Sequence, residues 1–505
     1  VNMDTLSLVL PVSFLLGLYF IILLYLSIFG IHRCYLVYLY IKNQSSAQTH
    51  QYHNVGFTPC VTVQLPIYNE MYLVERLIDS VANLDYPLDR LEIQVLDDST
   101  DDTRCIAAQS VAYWAARGLN ICHLHRSVRT GYKSGALAEG LRSANGEFIV
   151  IFDADFLPQS DFLKRTLPAL IDPSVGMVQA RWGHVNQDYS LLTQVIAMFL
   201  DAHFILEHGG RSRGGCFFNF NGTAGVWRRC TIEEAGGWQS DTLTEDLDLS
   251  YRAQLSGWRF IFLPEVVVPA EIPVEMDAFK IQQHRWTMGS IQTCIKVLPN
   301  LFRAKLPLRV KIEAVFHLTA SFNYPLMLAL VILIVPALFV RGAGGWQFLL
   351  LLDLPLFYGA MLSVVTFYAL SQREVRSNWL IQLRYIPIMM AVGIGLSFNN
   401  TKAVISALLN RNSRFTRTPK YGIVDKHDKW MDKCYRQSAI WQPIFEVGLG
   451  LYFTIAVVYA TAIGLIVVLP FLLLFQVGFL YVGLVSLIQY YGSHSSLFNT
   501  QVVSE

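Results

Sequence analysis

The sequence predicts an α/β domain with a mostly parallel, doubly wound sheet, inserted into an all-α membrane domain. Three observations predict it. Long uncharged apolar runs lie on either side of residues 55–301 but not within them. Inside that segment, short apolar runs alternate with amphipathic stretches, the pattern of buried strands and covering helices. Polar and mostly acidic residues follow the ends of those runs.

Composition agrees with this division. The 505 residues are 53% hydrophobic and only 15% charged, against roughly a quarter charged in soluble proteins, which excludes a fully soluble cytosolic protein. Lys and Arg (39) nearly balance Asp and Glu (38), for a net charge of +1. No global field then exists to attract a polyanion, which argues against nucleic-acid binding. The cysteines Cys34, Cys60, Cys105, Cys122, Cys216, Cys230, Cys294 and Cys434 form no CxxC pair and no zinc spacing, and read as reduced thiols on the cytosolic side.

Residues 1–45 hold the first membrane helix, because the uncharged run 6–29 is long enough to cross a ~30 Å hydrocarbon core. A cleaved signal peptide fits less well: Asp4 precedes the run, while His32, Arg33 and Lys42 follow it. That asymmetry places the next domain in the cytosol. Residues 302–370 contain an interfacial segment and a hairpin of two crossings, 314–340 and 346–370, flanked by Arg303, Lys305, Arg309, Lys311, Arg373 and Arg376. Residues 371–440 stay on the cytosolic face, because the run 386–396 is too short to span and the amphipathic stretch 401–409 follows it. Residues 441–491 supply two last crossings, broken at Pro470, and 492–505 form a tail. The expectation is five crossings.

Strands are expected at 61–65, 92–96, 121–125, 148–152 and 177–180. Ligands of such sheets sit outside the carboxyl ends of the strands, and there the sequence places Tyr68-Asn69-Glu70, Asp97-Asp98-Ser99 and Asp153-Ala154-Asp155. No GxGxxG or GxxxxGK[ST] string follows any of them, which leaves a dinucleotide site or an ATPase P-loop without support. Asp153 and Asp155, two apart, can face one side and converge on a single cation. Hard oxygen ligands with open positions suit Mg²⁺ or Mn²⁺ better than zinc.

Each motif has a plainer reading: strand-end Asp as a helix cap, Asp-Asp-Ser as turn chemistry, Glu245 and Asp246 as acids at a helix start, Trp286 as an interfacial belt residue. Lys133 could be a solvated helix-start lysine. His203 and His208, on an amphipathic helix, read as packing or interfacial residues.

Taken in order, Asp97-Asp98, Asp153-x-Asp155, Thr244-Glu245-Asp246 and Gln282-x-x-Arg285-Trp286 resemble the D, DxD, TED, QxxRW series of membrane-embedded family 2 glycosyltransferases. The text at 178–182, 220–227 and 282–286 is closer to the cellulose-synthase-like A type, the β-mannan and glucomannan synthases and their bacterial relatives. Phe415-Thr416-Arg417-Thr418-Pro419-Lys420 is similar to the FxVTxK gating loop of cellulose synthases, with Arg417 in place of Val.

The resemblance implies a GT-A nucleotide-sugar-binding domain over 55–301. It implies donor contacts from Tyr68, Asp98, Lys133, Asp153 and Arg285, and Mg²⁺ or Mn²⁺ on Asp155 with Asp153. Asp246 would be the catalytic base. Trp286, Gln282, Phe220, Asn221, Gly222, Thr223 and Glu245 would form the acceptor site, and Phe415, Thr418 and Lys420 the gating loop. The partners implied are a nucleotide sugar (UDP-glucose or GDP-mannose), a growing polysaccharide and the bilayer, in a bacterial plasma membrane or a Golgi membrane. The product implied is a β-linked mannan, glucomannan or glucan, made processively and exported through the membrane helices. The alternative is a glycolipid synthase similar to ceramide glucosyltransferases, adding one sugar to a membrane lipid. A transporter that only senses nucleotide sugars would show no donor turnover.

Overall fold

The computed structural model describes residues 3–43, 56–344, 346–410, 415–431, 433 and 440–502. Its centre is a seven-stranded sheet in the order β3-β2-β1-β4-β6-β5-β7. The strands are β1 (Val61–Ile67), β2 (Leu91–Asp97), β3 (Ile121–His125), β4 (Phe148–Ile151), β5 (Val175–His184), β6 (Gly225–Arg228) and β7 (Arg259–Ala270). β1, β2, β3 and β4 pair in parallel, β5 pairs in parallel with β7, and β6 runs antiparallel between β4 and β5.

β1 and β4 are buried along almost their whole length, as parallel strands covered on both faces must be. Helices Val74–Ala82 and Thr103–Ala115 seal one face, with Val74, Leu77, Ile78 and Val81 packed on Val63, Leu65 and Val95. The other face is closed by Ala136, Leu137 and Leu141 of helix Tyr132–Ser143 and by Trp227, Trp238 and Leu249. Gln64 and Gln94 meet inside the sheet, the Nε2 of Gln64 donating to the Oε1 of Gln94 at 3.0 Å.

β6 and β7 have no counterpart among the expected strands. β6 is only four residues long. β7 carries Pro264 and Pro269, and its pairing with β5 skips from Ala180↔Leu263 to Arg181↔Val267. Prolines and the bulge break the alternation by which a strand is recognised.

Among the described residues, seven helical stretches are long and apolar enough to cross a membrane: Pro11–Lys42, Leu191–Arg213, Leu308–Gly342, Leu350–Val375, Trp379–Leu408, Trp441–Ala462 and Ile466–Gly492. Five coincide with the expected crossings. Leu191–Arg213 is the helix that carries His203 and His208, and most of its apolar window is buried inside the protein. Trp379–Leu408 is the segment expected to lie at the interface, and it is divided into helices Ile386–Gly395 and Ser397–Leu408.

Candidate active site

The carboxyl ends of β1, β2 and β4 open on one side of the sheet, since Ile67 pairs with Asp97 and Gln64 with Ile151. The loops after β1 and β2 are clamped together. The backbone of Asn69, at φ 55°, donates to Ser99 Oγ at 2.9 Å, and Thr100 N donates to Asn69 Oδ1 at 2.9 Å. The two acids of Asp97-Asp98 part company here. Asp97 is fully buried and accepts from Ser99 N at 2.8 Å, with His123 Nε2 at 2.9 Å. Burial pushes its carboxyl up, but these hydrogen bonds outweigh burial and hold it below the usual carboxylate range. Asp98 lines the cleft instead, taking two hydrogen bonds from Arg126, at 2.7 and 2.6 Å. Arg129 lies 3.4 Å from the centre of the Tyr68 ring, so Tyr68, Asp98 and Arg129 form one wall.

The next wall comes from β4 and the loop before β6. Lys133, in the first turn of its helix, donates to Asp153 Oδ1 at 2.5 Å and to the carbonyl of Gly222 at 2.9 Å. Asp153 N donates to Thr223 Oγ1 at 2.9 Å. Burial pulls the Lys133 ammonium down, but the carboxylates of Asp153, Glu245 and Asp246 more than restore it, and it stays charged. Gly222 sits at φ 81°, and a β-carbon there would lie 3.0 Å from Asp246 Oδ2. Glycine is needed on both counts.

Glu245 and Asp246 open helix Glu245–Leu255, whose N-terminal end favours acids electrostatically. Leu247 N donates to Asp246 Oδ1 at 2.8 Å, which leaves Oδ2 toward the cleft side occupied by Gly222. Burial first, and the neighbouring Glu245 second, push the Asp246 carboxyl up to about 7. A carboxyl so placed takes up and gives up protons near neutrality.

This segment is seated on helix Met276–Arg303, the helix of Gln282, Arg285 and Trp286. Leu243 N donates to Gln292 Oε1 at 2.9 Å, and the hydroxyls of Thr244 and Thr293 are 3.3 Å apart. Gly289 gives way to the backbone of Thr244, which a β-carbon would approach to 2.8 Å. Trp286 lies beside Trp182, ring centres 6.4 Å apart, and Trp182 packs edge-on against Phe156. Gln282 is buried, and its Oε1 has no hydrogen-bond partner in the protein.

Residues 415–420 close the cleft. Phe415 stacks on Tyr132 at 5.5 Å and lies under the guanidinium of Arg285 at 4.9 Å. Lys420 Nζ is 2.7 Å from Asp155 Oδ2 and donates to the carbonyl of Glu271. The buried carboxylate of Glu271 anchors the loop by accepting from Tyr421 N at 2.8 Å and Ile423 N at 3.1 Å. Arg417, the departure from the gating-loop pattern, makes a two-pronged pair with Glu70, its Nε donating to Oε1 at 2.7 Å and its Nη2 to Oε2. Burial pushes the Glu70 carboxyl up to about 7 although Arg417 pulls it down.

One cleft is thus lined by Tyr68, Asp98, Lys133, Asp153, Asp155, Asn221, Gly222, Glu245, Asp246, Gln282, Arg285, Trp286, Phe415, Thr418 and Lys420. Two residues expected at the acceptor site do not line it. Phe220 is fully buried and packs edge-on against Trp227 at 5.6 Å, so it serves the core. Thr223 is also fully buried, and its hydroxyl holds the backbone at Asp153. Sequence reasoning missed Arg129, Glu271 and Gly289, and it placed Glu70 at a strand end without giving it a partner. None of the three missed residues belongs to a motif or to the end of an expected strand.

Sheet and cleft together define a GT-A-type domain of the glycosyltransferase class. Residues 59–289 match the model of the family described as "Glycosyltransferase like family 2", and this part of the chain is a glycosyltransferase family 2 domain. The chain is 46% identical over 252 residues to glucomannan 4-β-mannosyltransferase 2 of Arabidopsis thaliana, covering 49% of this chain and 47% of that protein. It is 43% identical over 265 residues to glucomannan 4-β-mannosyltransferase 1 of Oryza sativa subsp. japonica, covering 51% of each. The chain spans about half the length of the curated relatives it matches. Among solved structures it is similar to a mannosyltransferase from Pyrobaculum calidifontis in complex with GDP-Man and Mn²⁺, at 22% identity and TM-score 0.48, covering 77% of this chain and 100% of that one.

Proposed function

We propose that the chain is an inverting hexosyltransferase that extends a β-linked mannan or glucomannan from a nucleotide sugar at the cytosolic face of a membrane. The observation that carries this reading is the single cleft in which Asp98, Asp153, Asp155, Asp246 and Arg285 meet, although they span nearly 190 positions of sequence. The names of the similar plant proteins support a mannosyl donor, with GDP-mannose the nucleotide sugar and UDP-glucose its competitor.

In this reading Tyr68 and Asp98 receive the base and ribose, and Lys133 the diphosphate. Asp246 accepts the proton of the acceptor hydroxyl as that oxygen attacks the anomeric carbon from the face opposite the leaving group, which inverts the centre in one displacement. Charge growing on the departing nucleoside diphosphate is met by Lys133 and Arg285. Trp286 offers an apolar ring to the acceptor sugar, and the free Oε1 of Gln282 a hydrogen-bond acceptor.

Asp153 and Asp155 already draw one cation each, the ammonium groups of Lys133 and Lys420. Among the described residues no group of three His, Cys, Asp or Glu side chains gathers as a self-sufficient metal cage. Two hard oxygen ligands that leave further positions to phosphate and water fit Mg²⁺ or Mn²⁺ arriving with the donor. Asp155 and Asp153 would hold it, and it would supply charge stabilisation for the leaving diphosphate.

Helix Met276–Arg303 continues from the cleft toward the stretch Leu308–Gly342, which supports export of the growing chain between membrane helices. The test uses purified full-length protein in nanodiscs, offered a panel of nucleotide sugars with Mg²⁺ or Mn²⁺, followed by linkage analysis. Ethanol-insoluble β-1,4-linked mannosyl product is expected. A single solvent-extractable glycolipid, or no turnover of any donor, overturns the reading.

A further inference from the structure

We infer that His203, braced by Glu207, is a positioning residue for the acceptor, holding the Asn221 amide in a fixed orientation at the cleft. The inference rests on the hexosyl-transfer reading and concerns one side of the same site.

Helix Leu191–Ala202 runs on through a π-helical turn, His203–His208, before returning to α geometry in Gly209–Arg213. Such turns occur rarely and gather at functional sites. Of the two histidines on this turn, His208 is buried and its Nε2 meets the carbonyl of Asn219 at 2.9 Å. His203 is engaged differently. Its Nδ1 lies 3.0 Å from Glu207 Oε2, and its Nε2 lies 3.0 Å from Asn221 Nδ2.

The proton inventory orders this chain. A carboxylate can only accept, so Nδ1 carries the hydrogen. With a single proton on the ring, Nε2 accepts from the Asn221 amide nitrogen 3.0 Å away. That in turn fixes the amide, with Nδ2 toward His203 and Oδ1 away from it. Asn221 Oδ1 is buried and has no hydrogen-bond partner in the protein, a state that a ligand's donor would relieve. The backbone at this residue is held as well, Asn221 N donating to Gln179 Oε1 at 3.0 Å. The carbonyl of its neighbour Gly222 accepts from Lys133, and a β-carbon on that glycine would lie 3.0 Å from Asp246 Oδ2. Asn221 lines the cleft beside Asp246, and an unpaired carbonyl oxygen on such a residue suits a hydroxyl of the acceptor sugar.

The brace extends beyond Glu207. Arg211 Nη1 is 3.5 Å from Glu207 Oε2, its Nε donates to Glu313 Oε1 at 3.0 Å, and Glu313 Oε2 is 2.8 Å from His32 Nε2. Glu313 and His32 belong to helices Leu308–Thr319 and Met3–Lys42. A histidine present only to fill space needs none of these partners.

The test is made on the full-length protein in nanodiscs, with the donor that the wild type uses and a short β-linked oligosaccharide as acceptor. His203→Ala is expected to raise the acceptor KM about tenfold, on the scale of one hydrogen bond, while the donor KM and the affinity for the nucleoside diphosphate stay within about twofold. His203→Gln, whose amide can serve both neighbours, should recover most of the loss, and Glu207→Gln should shift the acceptor KM in the same direction by less. An unchanged acceptor KM in His203→Ala overturns the inference. So does joint loss of donor binding and transfer in all three variants, which marks a packing role. A wild type that turns over no donor sinks the enzymatic reading itself, a result distinct from either.

Discussion

Gly289→Ala tests how Asp246, the proposed base, is held against the helix of Gln282, Arg285 and Trp286. In an unconstrained helix this exchange stabilises by about 1 kcal/mol, because alanine is the better helix former. Here the added methyl would lie 2.6 Å from Thr244 Cγ2, 2.7 Å from its Oγ1 and 2.8 Å from its N. Restoring ordinary contact near 3.5 Å requires the Thr244-Glu245-Asp246 segment and the helix to separate by roughly 0.7 Å or more. Overpacking of this kind costs about 1–3 kcal/mol, so the sign reverses and the protein loses up to about 2 kcal/mol.

The kinetic effect should be larger than the loss of stability implies. A misplacement near 1 Å between reacting groups costs on the order of a hundredfold, so kcat should fall by about ten- to a hundredfold. Nucleoside-diphosphate affinity should change far less, since Tyr68 and Asp98 follow β1 and β2 and, of the proposed donor contacts, Arg285 alone rides on the displaced helix. The assay pairs radiolabelled sugar transfer with calorimetric titration of the diphosphate. Wild-type kcat together with a raised Tm would show that only helix propensity was at work and that Thr244 is not crowded by the helix.

Three further outcomes follow from the site. The kcat should fall as pH drops below about 7, because burial and Glu245 raise the Asp246 carboxyl to about 7 and its protonated form accepts nothing; a flat profile between about pH 5 and 8 would contradict this. Chelation, and separately Asp155→Ala, should each abolish transfer, and metal-independent turnover by the wild type would remove the metal from the account. Arg417→Val removes both contacts to Glu70 and should alter product length and rate by freeing residues 415–420. Unchanged product would reduce that stretch to a surface loop.

How much of this was legible beforehand depended on whether the signal was local. The buried parallel strands were, since expected 121–125 matches Ile121–His125 and expected 148–152 differs from Phe148–Ile151 by one residue. β7 escaped because Pro264 and Pro269 interrupt it, and β6 because four residues carry no period. The acidic motifs could be read from type and spacing because each closes a strand or opens a helix. Spacing alone could not separate Phe220 and Thr223 from their neighbours Asn221 and Gly222: which of these four consecutive residues face the cleft is decided by Trp227 and Asp153, not by the loop. Pairings such as Arg417 with Glu70, 347 positions apart, or His203 with Asn221 lie beyond any periodicity.

Asp246→Asn puts proton transfer at this carboxyl to the test, measured as sugar transfer and nucleotide-sugar binding on the same preparation. The side chain keeps its shape and its contact with Leu247 N while losing the ability to take a proton. The variant is expected to fold, to bind donor like the wild type and to transfer nothing above background. Transfer at the wild-type rate would contradict this.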